Sequence, residues 1–160
     1  MPDKNRIMPL EIREILIPTD FSKSSRMAVD YGIQIALKFS SKIHLLNVIQ
    51  PLPPLAGDFP ATSPELLVGG SPLHQSQPPL GSLSDEMVKL GIPVVTHCRE
   101  GFAFDEILLL SKEQKVDLII MGTHGLTGLS HVLLGSVAEK IVRNAPCPVL
   151  TVRHPDFTSK

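Results

Sequence analysis

Glycines recur through the stretch Met121-Gly122-Thr123-His124-Gly125-Leu126-Thr127-Gly128-Leu129-Ser130-His131-Val132-Leu133-Leu134-Gly135-Ser136, which leaves an apolar run and enters a helical pattern. A glycine lets main-chain N–H groups approach an anion with no Cβ in the way, and it tolerates positive φ. Ser136-Val137-Ala138-Glu139 reads as a capping box, so a helix is expected to begin there with Ser136 as its N-cap. Such a helix presents free N–H groups and the positive end of its dipole to the loop before it. A strand, a glycine loop and a helix start in that order describe a phosphate site.

One carboxylate stands out beside it. Asp20 ends the segment Ile15-Leu16-Ile17-Pro18-Thr19-Asp20, where a short apolar strand gives way to a helix. It either caps that helix through an Asx-type bond or faces a ligand, and it can do both. Other chemistries find less support. Gly128 completes a GxxGxxG, but a dinucleotide fingerprint belongs after the first strand, and no Lys-Ser or Lys-Thr follows the loop as a Walker A motif requires. His124 and His131 are the histidines inside the loop, read as solvated or structural groups. No general base is apparent, so no catalytic residue is assigned. Cys98 and Cys147 have neither CxxC spacing nor a histidine at a metal-ligand interval; both are expected to be buried thiols, and no metal site is assigned.

The elements that must position these groups follow from hydrophobic patterning. Apolar runs at Ile15–Ile17, Ile43–Ile49, Val94-Val95, Leu118–Met121 and Val149–Val152 read as buried strands of a parallel sheet covered on both faces. Helical spacing spans 24–39, with Ser22 or Ser24 as N-cap, then 104–114, and then Ser136 to Asn144. A short helix is expected at Leu83–Leu90, stopped by Gly91. His44 and His97 fall in strand-like runs, where they should find partners within the fold. The stretch 51–82 holds eight of the fifteen prolines and two charged residues, Asp58 and Glu65, and reads as an irregular insertion. The pattern predicts a doubly wound α/β fold in a single domain spanning 1–160.

Three segments carry a resemblance to a known family: Asp117-Leu118-Ile119-Ile120-Met121-Gly122-Thr123-His124-Gly125, then Leu133-Leu134-Gly135-Ser136-Val137-Ala138-Glu139-Lys140, then Asn144-Ala145-Pro146-Cys147-Pro148-Val149-Leu150. With the opening Ile15 to Ser22 and the spacing Gly122-x2-Gly125-x9-Gly135-Ser136, the chain resembles the ATP-binding universal stress proteins over most of its length outside 51–82. The resemblance implies a five-stranded parallel sheet of order 3-2-1-4-5. It also implies a bound ATP or AMP, with Mg²⁺. Asp20 would serve the adenosine part, Pro18 and Thr19 would line the same turn, and Val48 would pack against adenine. Met121 and Gly122 would contact the ribose side, while Gly125, Gly135, Ser136 and Val137 receive phosphates. His124, within the loop, joins this set. His131 stands where the family often has Arg, whose planar fork is the stronger phosphate partner.

The family likeness further implies a homodimer, two final strands Val149–Arg153 pairing edge to edge, since a bare apolar edge invites a partner. A formal net charge of -1 without a cluster of Lys and Arg argues against a nucleic-acid surface. No apolar stretch reaches the roughly 18 residues of a transmembrane helix, and the polar start MPDKNRIMPLEIRE does not read as a signal peptide. A cytoplasmic, nucleotide-binding regulatory protein in stress response is the expectation. A slow ATPase and a nucleotide-independent interaction module are the alternatives.

Overall fold

A computed structural model of the chain describes residues 10–50, 80–123 and 135–153. The elements in chain order are β1 (Glu14–Pro18), α1 (Lys23–Phe39), β2 (Lys42–Ile49), α2 (Leu80–Lys89), β3 (Val94–Glu100), α3 (Ala103–Glu113), β4 (Leu118–Gly122), α4 (Ser136–Asn144) and β5 (Val149–Val152). The five strands form one parallel sheet in the order β3-β2-β1-β4-β5, as expected.

Burial on both faces explains why the strands read as continuous apolar runs. Successive side chains point to opposite faces. Ile15, Ile17, Ile43, Leu45, Leu118, Ile120 and Val152 pack with α1 and α2 on one side. Leu16, Leu46, Ile119 and Met121 pack with α3 and α4 on the other. Among the described residues, the twelve largest fully buried side chains are Ile, Leu and one Met, so the core is built by shape and area rather than by aromatic stacking.

Helix starts differ from the sequence reading in instructive ways. For α1, Ser22 is the N-cap, its Oγ accepting from the Ser25 N–H at 3.2 Å. For α4, Ser136 is not the cap. Gly135 holds that position and Ser136 is the first helical residue, without a side-chain capping bond. Helix α2 begins at Leu80, so residues 80–82, expected to be irregular, are helical. The rest of the predicted insertion, 51–79, lies outside the described residues.

A polar cluster crosses three strands on the α3/α4 face. His44, 1% exposed, donates through Nε2 to Glu14 Oε2 at 2.8 Å, and Lys42 Nζ lies 3.1 Å from Glu14 Oε1. With that tautomer, His44 Nδ1 accepts from His97 Nε2–H at 3.0 Å, so the two neutral rings satisfy one another as expected. Burial holds both imidazoles below their ordinary pKa. For His97, the neighbouring His44, Arg99 and Lys42 add to the effect, and Glu113 opposes it. The unfolded chain therefore takes up protons near the ordinary histidine value of about 6.5 while the folded chain does not. Stability from this pair is present above that pH and is lost as pH falls towards the lowered folded values. The urea midpoint is expected to drop between pH 7.5 and 5.5, and to drop less in a His44→Gln/His97→Gln variant. Equal slopes in the two proteins would contradict this.

The cysteines are both free. Cys147 is half-buried, and burial, with Asp117 nearby, pushes its thiol up. Cys98 is exposed, contrary to expectation, because β3 lies at a sheet edge where alternate side chains face solvent. No helix among the described residues is long and apolar enough to cross a membrane.

Candidate functional site

The strand order makes β1 and β4 neighbours, although their connecting helices lie on opposite faces of the sheet. This is the switch point of a doubly wound sheet, and ligands of such sheets bind beyond the carboxyl ends of the strands there. Pairing of β1 with β2 runs the length of β1, from Glu14↔Lys42 to Pro18↔Leu46. Pairing of β1 with β4 covers Ile15↔Leu118 and Leu16↔Ile119. The two strands thus pair at their amino ends, and the residues assigned to ligand follow at their carboxyl ends.

The turn after β1 is held by a dense set of bonds. The Thr19 N–H donates to Leu46 O at 2.8 Å, and Asn47 Nδ2 donates to Thr19 O at 2.9 Å. Thr19 Oγ1 accepts from the Phe21 N–H at 3.1 Å and lies 3.2 Å from Ser25 Oγ. Phe21 takes φ 62, a left-handed conformation that a side chain of its size resists unless its neighbours fix it. Within this frame Asp20 Oδ1 accepts from the Ser22 N–H at 3.0 Å, the Asx-type bond that the sequence allowed. Asp20 is half-buried at the mouth of the sheet. Its carboxylate is thereby oriented by the backbone it caps.

Gly122 closes β4, and its reason for being glycine is steric. A Cβ there would stand 2.6 Å from Ser24 Oγ and 2.8 Å from the Ser24 carbonyl carbon. The first turn of α1 therefore rests directly on the end of β4, where Ser24 Oγ also donates to Val152 O at 3.4 Å. This contact ties the Asp20 turn to the glycine segment.

The start of α4 is brought to the same place by one bond. The Gly135 N–H donates to Thr123 O at 2.7 Å, while the Thr123 N–H donates to Val152 O at 3.0 Å. The two ends of the intervening loop are therefore clamped together at the mouth of β4. Gly135 has φ -64 and ψ 153, open to any residue, so backbone freedom does not require glycine there. The Glu139 N–H is the first amide of the helix bonded back to the cap, at 2.9 Å to Gly135 O. The amides of Ser136, Val137 and Ala138 belong to the first turn, whose donors have no acceptor within the helix. A glycine cap supplies no side-chain oxygen to cover them.

Of the residues assigned from sequence, the structure gathers Pro18, Thr19, Asp20, Met121, Gly122, Gly135, Ser136 and Val137 at the carboxyl ends of β1 and β4. Val48 lies near the end of β2, half-buried against the cluster on the α3/α4 face that includes Met121. Pro18, two residues beyond Leu16, shares that face by alternation. His124 and Gly125, like His131, lie outside the described residues. Ser24, read as a possible N-cap, instead packs on Gly122, and two supporting groups went unassigned: Ser25 and Asn47. Only Asn47 left a signal, as a lone amide inside the apolar run 43–49.

Comparison with known proteins agrees with this fold. Residues 11–153 match the model of the Universal stress protein family. The chain is 36% identical over 143 residues to Universal stress protein MJ0531 of Methanocaldococcus jannaschii, covering 89% of this chain and 83% of the relative. The solved structure of MJ0577, from the same organism, superposes with a TM-score of 0.73 at 27% identity, covering 91% of this chain and 98% of the other. A universal stress protein solved in complex with cAMP gives a TM-score of 0.63 at 25% identity, covering 89% and 98%.

Proposed function

The chain belongs to the universal stress protein family, and from that premise we propose that it binds an adenine nucleotide, ATP or AMP, as a regulatory ligand. The observation that carries this reading is the glycine-capped start of α4. Its first-turn amides are clamped against the end of β4 beside the Asp20 turn. Those amides suit phosphate, since backbone donors and the helix dipole act together on an anion. The carboxylate of Asp20, held by its bond to the Ser22 amide, suits a ribose or base donor across the cleft. Val48 and Pro18 supply apolar surface for the base. That a family member is solved with cAMP supports the choice of an adenine ligand. Mg²⁺ would accompany a triphosphate, held chiefly by phosphate oxygens and water.

A regulatory role in stress response, in the cytoplasm, belongs to the same reading. The exposed Cys98 thiol suits a reducing compartment. We place a homodimer at the edge strand β5, through residues Val149–Arg153, because an apolar strand at a sheet edge is stabilised by pairing with a second copy. The test is titration of the purified chain with ATP and Mg²⁺. Nucleotide at 100 times its dissociation constant should raise stability by about 2.7 kcal/mol, seen as a clear rise in melting temperature. No heat of binding and no thermal shift would overturn the proposal.

A further inference from the structure

We propose that Phe102 forms an aromatic wall of the nucleotide site and selects for a purine base; this rests on the adenine-nucleotide reading above. Phe102 is 69% exposed, while Phe21, Phe39 and Phe104 pack against the core. It is also the N-cap of α3, with φ -83, ψ 129 and no side-chain capping bond. Phenylalanine cannot cap a helix, whereas Ser, Thr, Asp or Asn would stabilise the same position. Neither core packing nor helix stability thus accounts for an aromatic residue here.

Its position accounts for it. The Gly101 N–H donates to Ile49 O at 3.0 Å, fastening the turn before α3 to the end of β2. Arg99 of β3 reaches Glu106 at 3.4 Å and also pairs with Glu113, which holds α3 to the sheet. Ala103, the next residue, packs in the same cluster as Val48, the side chain assigned to the base. The ring of Phe102 therefore stands at the rim of the sheet end where Val48 supplies the floor. An apolar floor beside an exposed aromatic ring on an anchored turn suits a stacked purine. Stacking tolerates any base but favours the larger ring system.

The test uses the absence of tryptophan from the chain. Phe102→Trp introduces a single indole at an exposed site, and Phe102→Ala removes the ring. ATP is expected to quench the F102W emission, and inorganic tripolyphosphate is expected to leave it unchanged. F102A should bind ATP about tenfold more weakly, the scale of one base–aromatic stack, with tripolyphosphate affinity preserved. ATP bound equally by wild type and F102A, with an F102W emission that ATP does not alter, overturns the wall alone. A folded wild-type chain that takes up no ATP overturns the site and the wall together.

Discussion

Gly122→Ala is expected to cost this protein about 2–3 kcal/mol of stability, the upper part of the range for overpacking a close contact. Of the three atoms that the new methyl group would meet, only Ser24 Oγ can turn away, since Ser24 Cβ at 3.0 Å is fixed to the backbone. The third is the Ser24 carbonyl carbon at 2.8 Å, which is backbone. Relief therefore requires the first turn of α1 to lift from the end of β4. That movement strains the bonds from Ser25 and Thr19 that hold the turn after β1. Urea denaturation should show a lower midpoint with an unchanged slope. Adding Ser24→Gly should restore only part of the loss, because it removes the side-chain contacts and leaves the backbone one. A Gly122→Ala midpoint equal to wild type would show that α1 and β4 do not meet this closely.

Asp20→Asn is expected to weaken ATP binding about tenfold while leaving the fold intact, which separates the two roles of this residue. The Asn side chain retains an Oδ1 that can accept from the Ser22 amide, so the turn after β1 keeps its closing bond. It loses the charge. A hydrogen bond to a charged acceptor contributes about 1.5–3 kcal/mol, against about 1 for a neutral one, and the difference is close to a factor of ten in affinity. Asp20→Ala removes both functions, so it should weaken binding at least as much and also lower the urea midpoint by about 1 kcal/mol in stability. Calorimetry on the three proteins distinguishes these outcomes. ATP bound equally well by wild type and D20N would assign Asp20 to the turn alone.

How much of this was legible in the residues depends on the range of the interactions concerned. Strands buried on both faces announce themselves as apolar runs, and β1, β2, β4 and β5 were found for that reason. The glycine segment and Asp20 were legible because turn chemistry is local. The cap of α4 was not. The sequence offers Ser136 with Glu139 three residues on, yet Gly135 takes the N-cap because its amide is bonded to Thr123 across the loop. A contact between residues twelve apart in sequence decides it.

The same distinction explains the remaining differences. Leu80-Gly81-Ser82 reads as loop by composition, but Leu80 packs against the core and draws the helix start with it. The family likeness gave Gly122 a ribose contact, but nothing local reveals that α1 also returns to rest on β4 there. Histidines 44 and 97 become partners only once β2 and β3 pair with Leu46 opposite His97 and His44 opposite Val95. Burial of Cys98 was expected from its residue type, and its place at the edge of the sheet decided otherwise.

The central claim is that first-turn main-chain amides of α4 receive the phosphates of a nucleotide. Backbone amide NMR of the uniformly ¹⁵N-labelled chain, titrated with ATP and Mg²⁺, tests it most directly. The amide resonances of Ser136, Val137 and Ala138 should shift in a saturable way, together with those of the turn at Thr19 and Asp20. Resonances at the opposite end of the sheet, around Ser40 and Gly91, should stay in place. Saturable ATP binding that leaves the three α4 amides unmoved would contradict the account.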